Sequence, residues 1–459
     1  MKEKLKPGTE GQSDSFDQQH STEPDIPKVE PLPISDLRPY HRNPKRHSKR
    51  QVRQIASSIG AVGFIVPIVV DDKNVIIAGH GRYSAAKQLG LKILPVIRVK
   101  HLTEAQVRAY RLADNKIAEN ATWDADLLTI ELNGILDLDV DFDLELTGFD
   151  AGEIDIHLGI GEVEEVETVP APEHDRPATS RAGDIWAVGD HRLMCGDALD
   201  PDTYASLMAG EQAQMIFTDP PYNVPIGGHV SGLGKTKHRE FAMASGEMTK
   251  AEFTAFLRAS FEQLVAHACD TAIHYICMDW RHMGEVLNAS EGVFRELKNL
   301  CVWGKTNAGM GAFYRSQHEL VFVFKSGTGS HINNFGLGER GRHRSNLWTY
   351  AGANTFHADR DADLAAHPTV KPIAMVRDAI FDCSRRGGII LDPFAGAGTT
   401  LIAAARASRR GYGIEIDPHY ADLILRRLET ETGETAVHAD TGLSFAEMTK
   451  KRVGGLADV

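Results

Sequence analysis

Cysteine is scarce in this chain: five in 459 residues, at Cys195, Cys269, Cys277, Cys301 and Cys383, with no C-x-x-C pair. That spacing gives no support to a zinc cluster or a dithiol redox site and fits buried thiols in a reducing compartment. No run of about 18 uncharged apolar residues occurs, and no basic-then-apolar segment opens the chain, so the expectation is a soluble cytoplasmic protein. Lysine and arginine are missing from residues 124–175, which hold 17 Asp and Glu. The net charge of -13 is therefore concentrated, and the remaining residues carry 50 basic against 46 acidic side chains, about +4. An acidic total of this kind describes a spacer between modules and does not exclude a nucleic-acid partner.

Residues 1–26 are polar and read as a disordered tail. A first module follows over 27–122, with a helical pattern at 51–60, short strands in PIVVDD, NVIIAGH and ILPVIRV, and a helix opened by Thr103 with Gln106 at capping-box spacing. Residues 123–182 read as an acidic helical segment leading into a Glu- and Pro-rich linker. A second module, 183–430, alternates strands (MIFTDPP, AIHYICM, NLCVWGK, ELVFVFK, GGIILDPF, YGIEIDP) with helices near 251–267, 371–383 and 399–407. That alternation predicts an α/β fold with a largely parallel sheet covered on both faces. Residues 431–459 read as a peripheral C-terminal tail.

DPFAGAGTT, Asp392 to Thr400, lies between a strand and a helix, and its glycines permit a tight turn and close ligand approach. It is neither a Walker loop nor a GxGxxG fingerprint. Glu415 ends the next strand, 23 residues after Asp392, where a carboxylate can accept bonds from ribose hydroxyls. The pair points to an adenosine-containing cofactor.

Asp219-Pro220-Pro221-Tyr222 ends the strand MIFTDPP. Two prolines cannot continue a central ladder, so the chain leaves the sheet there. An Asp carboxylate beside a Pro carbonyl offers two acceptors to an exocyclic amino group, and Tyr222 offers a plate for a planar base.

With these motifs in this order, the second module resembles the beta class of S-adenosylmethionine-dependent DNA amino-methyltransferases. GDAL at 196–199, DPPY, HPTVKP at 367–372 and the FxGxG of Phe394, Gly396 and Gly398 all match. The resemblance implies a Rossmann-like methyltransferase with a circularly permuted motif order, double-stranded DNA as substrate and, often, a homodimer. It implies S-adenosyl-L-methionine lined by Asp392, Phe394, Gly396, Gly398 and Thr399. Glu415 is expected at the ribose, Asp197 at the adenine end and Lys371 at the methionine end. Each has a plainer alternative: Asp197 caps a turn, Lys371 is a solvated helix-start lysine, Phe394 is ordinary core. DPPY leans to adenine N6 over cytosine N4, and both stay open. Catalysis then rests on Asp219, Pro220, Pro221 and Tyr222 acting on a flipped base. No metal is needed, and no Pro-Cys dipeptide occurs, which argues against a carbon-5 cytosine enzyme.

Target recognition is expected in 326–366, with Arg340, Arg342 and Arg344 reaching phosphates or guanine edges. A basic, Gly-rich insertion at 223–248, with Lys235, Lys237 and Arg239, is expected to close beside the catalytic turn and contact the DNA backbone.

VIIAGHGRYSAAKQLG and ADNKIAEN resemble the N-terminal ParB/sulfiredoxin-like domain, of smaller α+β type. Gly79, His80, Gly81 and Arg82 form a candidate phosphate site there, for a nucleotide or an anion. The sulfiredoxin cysteine is absent. A non-enzymatic alternative also stands: a ParB-like DNA- or nucleotide-binding protein whose methyltransferase module is inactive.

Overall fold

The computed structural model describes residues 27–138, 143–158, 169–224, 246–305, 313–335, 344–350 and 370–453. They fall into two units, 1–124 with 145–148, and 125–144 with 149–459.

In the first unit β1 (Val29–Pro33), α1 (Lys49–Val62), β2 (Ile68–Val70), β3 (Ile76–Ala78), α2 (His80–Gln88), β4 (Ile93–Arg98) and α3 (Glu104–Glu119) follow in sequence. The sheet order is β1-β4-β2-β3, with β2 parallel to β4 and the other pairs antiparallel. Ile68, Val70, Ile76, Leu94 and Val96 alternate inward, and with Leu37 and Ala86 they make the core. The Thr103–Gln106 capping box that opens α3 is present. Arg111 of α3 is buried, with its guanidinium 3.7 Å from the Tyr40 ring centroid.

The second unit begins with α4 (Ala125–Leu138) and α5 (Ala151–His157). Leu128, Leu132, Leu144 and Ile154 bury against one another, and an Asp150–Glu153 capping box starts α5. Helices thus stand in the stretch read as an acidic helical segment, and their packing makes it more than a charged spacer. The acidic residues occupy helix caps and solvent faces, while apolar residues at helical spacing fold inward. Asp155 itself is fully buried against Arg409. Val169, expected in the linker, packs on Ala397 and Leu423, and the backbone N–H groups of Thr179 and Ser180 donate to the Asp422 carboxylate. Residues 159–168 lie outside the described residues.

The remaining elements are β5 (Ile185–Val188), β6 (His191–Cys195), α6 (Pro201–Met208), β7 (Ala213–Thr218), α7 (Lys250–Ala266), β8 (Ala268–Met278), α8 (Met283–Ser290), β9 (Glu296–Lys305), β10 (His318–Lys325) and β11 (Leu347–Tyr350). They continue as α9 (Ile373–Cys383), β12 (Ile389–Asp392), α10 (Thr399–Arg406), β13 (Arg410–Glu415), α11 (Pro418–Thr432), β14 (Ala436–His438) and α12 (Phe445–Arg452). Among the described residues the sheet has ten strands in the order β11-β9-β10-β8-β7-β12-β13-β6-β5-β14. Strands β6, β13, β12, β7 and β8 run parallel as a central block. The flanking β10 and β5 are antiparallel to their neighbours, so the sheet is mixed rather than wholly parallel.

Both faces are buried. Met215 and Phe217 of β7 join one apolar cluster, with Leu401 of α10 and Ile424 of α11. Ile216, between them, joins the other, with Leu207 of α6 and Leu257 of α7. The chain leaves β7 through α7 toward β8 but leaves β12 through α10 toward β13, on opposite sides of the β7–β12 pair. In open α/β sheets such a divergence opens a crevice at the carboxyl ends of the strands.

The peripheral reading of 431–459 is also corrected. β14 pairs antiparallel with β5, and Phe445 and Met448 of α12 are buried beneath a Ser444–Glu447 capping box. A three-residue strand is too short to show in periodicity; its partner strand makes it. Residues 454–459 lie outside the described residues.

Candidate active site

The two motif turns meet at the crevice. The Asp219–Tyr222 turn leaves β7, and the Phe394–Thr399 loop leaves the adjacent β12. Asp392 ties the two strands' exits together. Its carboxylate accepts from Thr218 Oγ1 at 2.9 Å, Thr400 Oγ1 at 2.6 Å and the Phe394 N–H at 3.1 Å. Burial raises this carboxyl to about 6 against the pull of those bonds. Asp392 is thus a buried tie between β7, the loop and α10.

Gly398 caps the N-terminus of α10 at φ 82°, and a Cβ there would stand 2.9 Å from Ile424 Cγ1. Only glycine meets both conditions. Thr399 is buried in the first turn of α10, and Phe394 is half-buried, packed toward Phe256. Glu415, at the end of β13, accepts the Gly396 N–H at 2.7 Å and the Asp417 N–H at 2.8 Å. Burial raises its carboxyl to about 7 despite these bonds. Asp197 is exposed beyond β6, with Oδ1 accepting the Leu199 N–H at 2.9 Å and Oδ2 open to a ligand. A backbone loop stripped of side chains at Gly396 and Gly398, with acidic groups at neighbouring strand ends, fits a ribose-bearing cofactor.

At the Asp219–Tyr222 turn the structure adds what residue order did not show. Tyr222 Oη donates to Asp219 Oδ1 at 2.5 Å, and Lys371 Nζ donates to Asp219 Oδ2 at 2.5 Å. Glu319, at the start of β10, completes the cluster: its Oε2 lies 3.1 Å from Lys371 Nζ and 3.3 Å from Tyr222 Oη, and its Oε1 takes Lys305 Nζ at 2.5 Å. Lys371 therefore sits on two carboxylates beside the Asp219–Tyr222 turn and is no solvated helix-start lysine. Burial pushes the Asp219 carboxyl up, with Lys371 opposing. Burial also acts on Glu319, but Lys371 and Lys305 outweigh it and hold that carboxyl down to about 2. The one sequence signal for Glu319 is a charge opening an otherwise apolar strand, ELVFVFK.

Asn223, at φ 54°, was also missed. Its side-chain amide donates to the Met248 carbonyl at 2.8 Å, and its Oδ1 accepts the N–H groups of Gly246 and Met248. It thereby joins the two ends of the basic insertion.

Lys235, Lys237, Arg239, Arg340 and Arg342 lie outside the described residues. Arg344 does not face a ligand as expected. Its Nε donates to Asp382 at 2.9 Å and its Nη1 to Asp378 at 3.2 Å and to Tyr350 Oη at 3.0 Å. Its charge is neutralised inside the fold because the two carboxylates sit one helical turn apart on α9.

In the first unit Gly79 caps α2 at φ 99°, and His80 Nε2 accepts the Tyr40 N–H at 3.3 Å. Burial, then Arg111, lowers His80 to about 4, so it is neutral at pH 7. Arg82 turns its Nη2 to the Pro67 carbonyl at 3.3 Å, while Gly81 packs closely under Ile55 and His47. Among the described residues no group of three or more His, Cys, Asp or Glu is placed to hold a metal, and no helix is long and apolar enough to cross a membrane.

Comparison with known proteins matches three family descriptions along the chain: ParB N-terminal domain over 17–116, ParB-methyltransferase HTH domain over 126–182, and DNA methylase over 213–426. The type II methyltransferase M2.DpnII of Streptococcus pneumoniae is 30% identical over 247 residues, covering 50% of this chain and 88% of that protein. The ParB-like nuclease domain-containing protein YnaK of Escherichia coli K12 is 42% identical over 79 residues, covering 17% of this chain and 91% of that protein. Among solved structures, the PvuII DNA methyltransferase (cytosine-N4-specific) aligns over 60% of this chain and 93% of its own, at 14% identity and a TM-score of 0.40, too loose a likeness to bear on the choice of base.

Proposed function

This chain belongs to the DNA methylase family, joined to a ParB-like N-terminal domain, and from that premise we propose that it methylates adenine N6 in double-stranded DNA with S-adenosyl-L-methionine as donor. The observation that carries the reading is the meeting of the Asp219–Tyr222 turn and the Phe394–Thr399 loop at the carboxyl ends of adjacent parallel strands. The strand bearing the cofactor loop enters the chain after the catalytic strand, which supports the circularly permuted arrangement of the beta class.

When bound, S-adenosyl-L-methionine supplies a methyl group activated on a sulfonium. Phe394, Gly396, Gly398 and Thr399 would hold it, with Glu415 at the ribose and Asp197 at the adenine end. Asp219 and the Pro220 carbonyl accept hydrogen bonds from the amino group of a base drawn out of the duplex, and Tyr222 presents its ring beside them. Those acceptors favour a more nucleophilic nitrogen and stabilise the positive charge that develops on it. Most of the acceleration is thus positioning and electrostatics. Lys235, Lys237 and Arg239, with Arg340 and Arg342, supply backbone and groove contacts.

The deciding experiment incubates the protein with labelled S-adenosyl-L-methionine and mixed-sequence duplex DNA, digests the DNA and identifies the labelled nucleoside. N6-methyl-2′-deoxyadenosine is expected, and Asp219→Ala should abolish it while cofactor binding persists. N4-methyl-2′-deoxycytidine would replace the adenine assignment. Unlabelled DNA bound tightly by the protein would favour the ParB-like binding alternative.

A further inference from the structure

Each oxygen of Asp219 is already engaged, Oδ1 by Tyr222 and Oδ2 by Lys371. Each oxygen keeps a further lone pair, but a carboxylate already accepting an ammonium and a hydroxyl is a weaker acceptor for a base amino group, so drawing those donors away strengthens it. A buried ammonium left without a partner costs several kcal/mol, and the Lys371 side chain is only 5% exposed. Among the described residues both donors have one other carboxylate in reach: Oε2 of Glu319, 3.1 Å from Lys371 Nζ and 3.3 Å from Tyr222 Oη. Lys305 fixes the far oxygen of Glu319, anchoring it against the β9–β10 pair.

We propose that Glu319 is a positioning residue that takes over Lys371, and with it the Tyr222 hydroxyl, when the base enters, leaving Asp219 free to accept the amino group. The inference rests on the methyl-transfer reading above. Two carboxylates and two ammonium groups make the cluster electrically balanced. Losing Glu319 would confine Lys371 to Asp219 and leave a surplus positive charge where the amino nitrogen becomes positive. Glu319 acts through Lys371, without touching the reacting atoms.

The test is a double-mutant cycle of Glu319→Gln and Lys371→Met, read as single-turnover methylation of unmethylated genomic DNA with labelled S-adenosyl-L-methionine. In the otherwise unaltered protein, Glu319→Gln should slow methyl transfer roughly 10- to 100-fold while cofactor KM stays within about 3-fold. In the Lys371→Met background the same change should cost less than about 2-fold, since no ammonium then clamps Asp219. Equal factors in the two backgrounds overturn the inference, as does an undiminished rate in Glu319→Gln, and so does a loss of rate that follows a matching loss of Tm rather than the methyl-transfer step alone. Glu319→Asp keeps the charge and should run faster than Glu319→Gln; a folded Glu319→Asp as slow as the amide also overturns it. An unaltered protein that transfers no methyl group to DNA refutes the methyl-transfer reading itself, a separate result.

Discussion

Asp155 and Arg409 form a fully buried ion pair, 3.0 Å between Oδ2 and Nη2, that joins α5 to the entry of β13 across 254 residues of chain. Arg409 also donates to the Ser384 hydroxyl and to the carbonyls of Ser384 and Ala407, so its donors are closely matched. The acidic segment is thereby part of the methylase unit.

Asp155→Asn should destabilise that unit by about 3–5 kcal/mol, because it leaves a buried guanidinium without its counter-charge. Urea unfolding reads the loss. Deleting 161–178 should lower the Tm as well, since it removes Val169 from Ala397 and Leu423.

Tyr222→Phe keeps the ring and removes the hydroxyl that bonds Asp219. A hydrogen bond to a charged group contributes about 1.5–3 kcal/mol to stability, so the Tm should fall, while methyl transfer should change by less than about 3-fold because that hydroxyl leaves Asp219 when the base enters. Tyr222→Ala, which also removes the ring beside the base, should be markedly slower than Tyr222→Phe.

Glu415 gives a pH signature. Its folded value of about 7 lies above the ordinary 4.5, so the stability it contributes is fully present below about pH 4.5 and is lost as pH rises through 7. The loss is on the order of 3 kcal/mol. The Tm measured from pH 5 to pH 8 should decline less steeply in Glu415→Gln than in the unaltered protein, whatever the absolute Tm of the variant.

Gly398→Ala places a Cβ against Ile424 at a left-handed φ. The strain is about 1–3 kcal/mol, and the loop that would hold the cofactor must shift to relieve it. Calorimetric titration with S-adenosyl-L-methionine should show weaker binding, alongside a lower Tm.

Arg344→Met should cost about 2 kcal/mol of stability, because it removes the guanidinium that bonds Asp378 and Asp382, the latter 4% exposed. The salt dependence of DNA binding should keep its slope, because an inward-facing arginine releases no counterions. A slope reduced by about one would return Arg344 to the DNA face.

Much of this was legible from residue order alone. Alternating apolar runs located β7, β8, β9, β10, β12 and β13, because side-chain direction in a strand depends only on position along it. The Thr103–Gln106 cap was equally plain, since both partners lie within one helical turn. The DPPY and FAGAG turns announced themselves because proline and glycine constrain the backbone wherever they stand. Tertiary structure decided what depends on distant residues meeting. Lys371 reaches Asp219 across 152 residues, Glu319 reaches Tyr222 across 97, and Asp155 finds Arg409 across 254. Whether a charged side chain points to solvent or closes a buried pair depends on strand order and helix docking, which local periodicity does not encode. The acidic run 124–175 shows the difference best. Pattern made its first part an acidic, amphipathic helical segment and composition made the whole a repelling spacer, whereas packing turned its apolar stripe inward and set one of its carboxylates at the heart of the methylase unit.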